Sequence, residues 1–353
     1  MAKVFNFFEG ILSSLLENPV FGGSSSISTQ EKEVLLEGVL SQHRINLWEL
    51  RELALTKGGL LKTEYRQDAW LRLVGIDFVE EEEKELEIQE GGGLSSPTSI
   101  VDADSLFTND DDKKTCCSSV ALDSSLELIK RDVGRSVVFH YHKFHQSQLP
   151  SNGSDLLAQV LNDTLETEAD EELHYYQGLH DIGSVILHQV DWNPIVATQI
   201  MKKLAKSQLR DAMMSSFGNI HFLIRLFLLP LLEQVEPHVH DQLSQVELTT
   251  VCLPWIITWF THDIYHPETA GRLVDAFLAG HALLPLYFSV ALLSHPYLKN
   301  ELLYNEDPDD VASMFCLVKK LPMRIAPDDY TYSTQRQRNI PVQELLEDAL
   351  AIL

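Results

Sequence analysis

Three observations predict an all-α protein. Apolar residues recur at helical spacing almost throughout, helix start and stop signals stand where those stripes begin and end, and no alternating pattern of the kind strands need competes with them. With 353 residues, 44% hydrophobic and 22% charged, the chain can bury one large or two ordinary cores, which excludes a disordered or fibrous protein.

Val4, Phe8, Ile11 and Leu15 recur at helical spacing, and Phe5, Leu12 and Leu16 widen the stripe into an amphipathic helix. No basic region or small-residue cleavage site accompanies it, so it does not read as a secretory signal. Its apolar face suits either a lipid surface or docking onto the domain, docking being the simpler reading. Asn18 to Ser28 is a Gly/Ser-rich linker, which makes residues 1–27 a leading segment and 28–353 the domain. Ser28 with Glu31 resembles a capping box that opens the next helix, and Thr63 is placed to cap a helix that ends at Gly75.

The charge is uneven. The 27 Lys+Arg against 52 Asp+Glu leave a net charge of −25, which disfavours nucleic acid and anionic lipid and suits a partner with a cationic patch. Thirteen acidic side chains fall between Ile76 and Lys113, among them Glu80 to Glu83 and Asp110 to Asp112, mixed with Gly91-Gly92-Gly93. Such a stretch cannot bury enough apolar area to offset its chain entropy, so residues 76–121 read as an acidic disordered insertion. A solvated loop without function is the plainer account of it, and a docking tail for a basic partner the sharper one.

After this insertion Lys130, Arg131, Arg135 and Lys143 outnumber the single acid Asp132 between Ile129 and His145. Asp132 and Arg135, three apart, would be neighbours on one helical face, where the carboxylate can orient the guanidinium or simply form a surface ion pair. Tyr175, Leu179, Ile182, Ile186 and Val190 read as the buried stripe of a helix, which puts Gln177 about 200° away and on an outer face with Asp181. Gly178 and Gly183 weaken that helix and point to close backbone approach or helix packing. Asn193-Pro194 places a cap before a first-turn proline, and the runs Asn219 to Glu233 and Val251 to Phe260, apolar on most faces, read as central helices. The apolar runs Leu223 to Leu232 and Leu283 to Leu293 fall short of the roughly 18 to 20 residues of a membrane span, so no transmembrane segment is expected.

Elimination narrows the chemistry. The chain has no G-x-x-x-x-G-K-S/T loop, G-x-S-x-G elbow, H-E-x-x-H or kinase signature, so it is not expected to hold a nucleotide by itself. Among fourteen histidines, His140-x-His142 and His238-x-His240 have no carboxylate or cysteine at the usual ligand spacing, and no metal site is expected. Four cysteines without a C-x-x-C pair form neither a disulfide framework nor a zinc pattern, which suits the reducing cytosol.

Ile129-x-x-Asp132-x-x-Arg135, followed about forty residues later by Tyr175-x-Gln177-Gly178, resembles the paired finger motifs of TBC-domain Rab GTPase-activating proteins. Arg66-x-x-x-Trp70-x-x-Leu73-x-Gly75 resembles the motif that opens that domain. Trp259-Phe260 and Arg272-Leu273-Val274-Asp275-x-Phe277-Leu278 resemble its closing region. Two positions depart from the pattern: Val274, where the family usually carries Trp, and His180, where most relatives have Asn. Thr56-Lys57-Gly58-Gly59-Leu60-Leu61, Tyr176-Gln177-Gly178-x-His180-Asp181 and Phe277 to Phe288 are similar to the branch anchored in the endoplasmic reticulum, which acts on Rabs of early secretory traffic and lipid droplets.

The resemblance implies a multi-helix TBC-type domain over 28–353 that stimulates GTP hydrolysis by a GTP-bound Rab at the endoplasmic reticulum to Golgi step of vesicle-mediated, intracellular protein transport. It implies no cofactor of its own, because GTP and Mg²⁺ are bound by the partner, and no GTP hydrolysis by the chain itself. Arg135 is then an arginine finger and Gln177 a glutamine finger supplied in trans, with Asp132, Tyr175, Gly178, Asp181 and Ile129 in support. Arg66, Trp70, Gly75, Arg272 and Asp275 carry the structural motif. The expected place is the cytoplasm, at the endoplasmic reticulum or Golgi surface through peripheral membrane contact. The alternative is a Rab-binding or acidic-loop scaffold that does not stimulate hydrolysis.

Overall fold

In the computed structural model the described residues are 28–76, 126–136, 138–139, 149–166, 173–303, 310–328 and 339–353. The amphipathic N-terminal stripe, the Gly/Ser linker as far as Ile27, the acidic insertion beyond Ile76, and His140, His142 and Lys143 lie outside them. The chain divides into two compact units, Met1–Leu35 and Leu36–Leu353.

The helices follow their local signals. In the first, α1 (Thr29–Leu40), Glu31 accepts from the Ser28 backbone N–H at 3.0 Å while the Glu31 N–H donates to Ser28 Oγ at 3.3 Å, the reciprocal pair of a capping box. In α2 (Leu47–Leu55), Asn46 caps the first turn. Thr63 is not the cap of α3 (Thr63–Leu73): it is the first helical residue, and Lys62 stands at the cap position with no side-chain bond. The stop at Gly75 holds. Gly75 takes φ +80°, its N–H donates to the Arg72 carbonyl, and Ile76 N–H reaches back to Leu71, a left-handed closure that costs glycine least.

Residues 126–133 form α4, followed by α5 (Gly153–Leu165), α6 (Leu179–Gln189) and α7 (Pro194–Lys206). Asn193 caps α7 with Pro194 in its first turn, as predicted. Leu157 and Leu161 of α5 lie against Gly183 of α6, so that glycine serves helix packing. The run Asn219 to Glu233 is helical without a break, through α8 (Gly218–Leu223), a π turn (Ile224–Leu228) and α9 (Leu229–Val235), but it is not central: Phe222 and Leu226 are exposed. Pro230 has no N–H to give the carbonyl four residues earlier, which accounts for the widened turn before it.

Beyond α10 (Pro237–Gln242), α11 (Leu248–Ile257) carries the second apolar run, mostly buried, and ends before Trp259 and Phe260, both at positive φ. Helix α12 (Pro267–Ala279) is buried at every position except Glu268 and packs against α2, α3 and α6. Then come α13 (Leu284–Ser294), α14 (Pro296–Leu303), α15 (Val311–Lys319) and the final α16 (Val342–Ile352), which lies along α13 and also meets α12. The fold is a multi-helix one. It adds one feature that helical periodicity did not predict: a two-residue parallel pair, β1 (Ile325–Ala326) with β2 (Ile340–Pro341), too short to show an alternating pattern. No helix among the described residues is long and apolar enough to cross a membrane.

Candidate functional site

Ile129, Asp132 and Val133 of α4 and Ser136 just beyond it are all buried, as spacings of three and four place them on one inner side. The helix ends at residue 133, and a turn follows in which the Arg135 N–H donates to the Asp132 carbonyl at 2.9 Å. The Arg135 side chain, 54% exposed, returns one guanidinium nitrogen to Asp132 Oδ1 and keeps the rest in solvent. Arg131 Nε stands 3.6 Å from the same oxygen. A buried carboxylate is costly unless paired, and here two cations and a hydroxyl compensate it. That hydroxyl is Tyr175 Oη, which donates to Asp132 Oδ2 at 3.2 Å and so joins segments 43 residues apart.

The segment of Tyr175 departs from the sequence reading. Tyr175 and Gln177 are not on a helix, because α6 begins only at Leu179; residues 173–176 are irregular and Gln177-Gly178 form a turn. Asp181 is not on an outer face with Gln177 either, since it is completely buried while Gln177 is exposed. The reason is anchoring from outside the segment. His174 N–H donates to the Met213 carbonyl at 2.8 Å, and Tyr176 Oη donates to the Ile257 carbonyl at 2.7 Å with its ring edge against Phe217. Gly178 has φ +117°, and a Cβ there would meet Thr258 Cγ2 at 2.7 Å, so only glycine fits the turn that presents Gln177.

Beneath this turn lies a polar chain. His180 Nδ1 stands 3.1 Å from Tyr175 Oη and accepts from Gly178 N–H at 3.3 Å. Its Nε2 is 3.5 Å from Asp181 Oδ1, and His262 Nδ1 holds the other Asp181 oxygen at 2.7 Å. Burial lowers the His180 pKa, whereas the bond to Asp181 raises that of His262. The Tyr175 hydroxyl is pushed up, chiefly by burial and then by Asp132, so it stays a donor.

Of the structural-motif residues, Gly75 stands apart at the end of α3 and the other four form a second, buried cluster. Asp275 Oδ1 accepts from Arg66 Nε at 3.1 Å and from Trp70 Nε1 at 2.8 Å, while its Oδ2 accepts from Leu60 N–H at 3.1 Å. Arg66 also donates to Gln189 Oε1 and Glu268. Arg272 donates to the carbonyls of Ala54, Leu55 and Thr56, where α2 ends, and to Gln343 Oε1; burial lowers its pKa to about 10. Sequence reasoning missed Gln189 and Gln343. Gln189 had a readable signal, a polar residue continuing the buried Ile182 and Ile186 stripe of α6; Gln343 had none.

Among the described residues no group of three or more His, Cys, Asp or Glu side chains is arranged to hold a metal ion. What the site offers is an exposed guanidinium and an exposed carboxamide, each on a turn held from below. The family model described as Rab-GTPase-TBC domain matches residues 63–303. The chain belongs to this family. TBC1 domain family member 20 of Bos taurus is 27% identical over 337 residues, covering 93% of this chain and 72% of that protein. The Homo sapiens protein of the same name is 27% identical over 330 residues, covering 91% and 70%. GTPase-activating protein gyp10 of Schizosaccharomyces pombe is 32% identical over 117 residues, a third of this chain. The crystal structure of the Ypt/Rab-GAP domain of Gyp1p superposes with a TM-score of 0.60 at 12% identity, covering 92% of this chain and 98% of that one, a likeness in fold. The TBC fold predicted from sequence is therefore present.

Proposed function

We propose that this TBC domain stimulates GTP hydrolysis on a Rab GTPase by inserting Arg135 and Gln177 beside the nucleotide that the Rab holds. The observation that carries the reading is the pairing of these two exposed side chains on turns joined by the Asp132–Tyr175 bond, within a chain that belongs to the Rab-GTPase-TBC family. In GTP hydrolysis, charge spreads over the transferring phosphoryl and the bridging oxygen, and a water must be held in line. The Arg135 guanidinium would present planar donors to phosphate oxygens, with Asp132 orienting it from behind. The Gln177 carbonyl would accept from the attacking water while its amide donates. GTP and Mg²⁺ belong to the Rab, so the chain activates a partner and hydrolyses nothing alone.

The motif resemblances favour a Rab of the endoplasmic reticulum to Golgi step.

The test is single-turnover hydrolysis over a Rab panel. At least one Rab should release phosphate faster with the chain present. A Rab whose own catalytic glutamine is changed to leucine should still respond to the wild-type chain and not to Gln177→Ala. Full resistance of that Rab would return water positioning to the Rab. No faster release from any Rab would leave a binding scaffold.

A further inference from the structure

One imidazole ring lies beneath the turn that carries Gln177, beside the Tyr175 hydroxyl that bonds Asp132. His180 is buried, at 3% exposure, so it cannot itself reach a nucleotide on a partner. Its Nδ1 accepts from the Gly178 N–H, and a backbone N–H can only donate, so the ring carries its proton on Nε2, beside Asp181 Oδ1. The Tyr175 hydroxyl has one proton and two acceptors in reach, Asp132 Oδ2 at 3.2 Å and this same Nδ1 at 3.1 Å. Asp132 in turn restrains the Arg135 guanidinium. On the other side, Gly178 directly follows Gln177, and its N–H is fixed by the ring.

We infer that His180 is a positioning residue for Gln177, its Nδ1 holding the Gly178 N–H of the turn while the Tyr175 hydroxyl beside it gives its one proton to Asp132 Oδ2. The inference rests on the GTPase-activating reading and deepens it. Burial keeps the ring neutral, so Nδ1 remains an acceptor. The Asp181–His262 pair supports the ring from its far edge, His262 Nδ1 standing 2.7 Å from Asp181 Oδ2.

The contrast of His180→Asn with His180→Gln separates this role from packing. The Asn amide oxygen is bonded to Cγ, as Nδ1 is, and can take over the bond from the Gly178 N–H. The Gln amide oxygen lies one bond further out, where Nε2 was, and leaves the Gly178 N–H without its acceptor. Both variants keep a polar side chain, and melting temperatures should confirm that both are folded. On the Rab that the wild-type chain stimulates most, H180N should keep the maximal single-turnover rate within about threefold. H180Q should lose roughly 10- to 100-fold of it, the scale expected when reacting groups are displaced by about an ångström, with little change in the half-saturating concentration. Equal rates for H180N and H180Q, or a loss confined to half-saturation, would overturn the inference while leaving the GTPase-activating reading intact. A wild-type chain that stimulates no Rab would overturn both.

Discussion

At Arg135 the sequence position and the exposed geometry agree: the residue contributes a charge and little packing. Arg135→Ala should therefore melt like the wild type and lose about 10³- to 10⁵-fold of stimulated hydrolysis. Arg135→Lys should fail nearly as badly, since an ammonium lacks the planar donors; more than about a tenth of wild-type rate in either variant would exclude Arg135 as the finger. His262 makes a separate prediction about pH. It is 53% exposed, and its pKa is raised above 6.5 by the bond to Asp181, so its contribution is full below the unfolded value and is lost as pH rises through the folded one. The melting-temperature gap between wild type and His262→Gln should close as the pH rises above 6.5 and through the raised folded value. A gap that widens with pH would mean that His262 is neutral in the folded chain.

The turn before α6 shows why an element can mislead when read from spacing alone. Tyr175 fits the apolar stripe of the helix that follows it, yet the segment is held by Met213, Ile257 and Phe217, partners distant in the chain. A helix through Gln177 would also forgo the left-handed Gly178 that shapes the turn. Gly178→Ala should cost about 1–3 kcal/mol in urea unfolding and slow stimulated hydrolysis, because it meets both backbone strain and the Thr258 methyl. Adding Thr258→Ser removes that methyl and should recover part of the loss, leaving the φ strain. An unchanged stability for Gly178→Ala would show that the turn adopts another conformation.

Across the whole molecule, the Asp275 cluster joins α3, α6 and α12 to the loop before α3, and Arg272 of α12 closes the end of α2. Asp275→Ala would leave Arg66 buried opposite only the mostly exposed Glu268. It should destabilise the domain by about 3–5 kcal/mol in urea unfolding, whereas a loss under about 1 kcal/mol would mean that Arg66 turns out to solvent.

The amino-acid sequence by itself determined the helical class, the capping box at Ser28, the capped start of α7, the glycine stop of α3 and the motifs that carry Arg135 and Gln177. Those features are local: each depends on residues within a turn or two, where spacing, capping and charge act directly. Only the tertiary structure decided that Gln177 stands on a turn, that Asp181 is buried, that the helix through Asn219 to Glu233 leaves Phe222 and Leu226 exposed, and that Gln189, Gln343 and His262 complete the two polar clusters. Each of those outcomes depends on partners far apart in the chain, or on whether packing covers a given face, and periodicity along one segment carries neither fact.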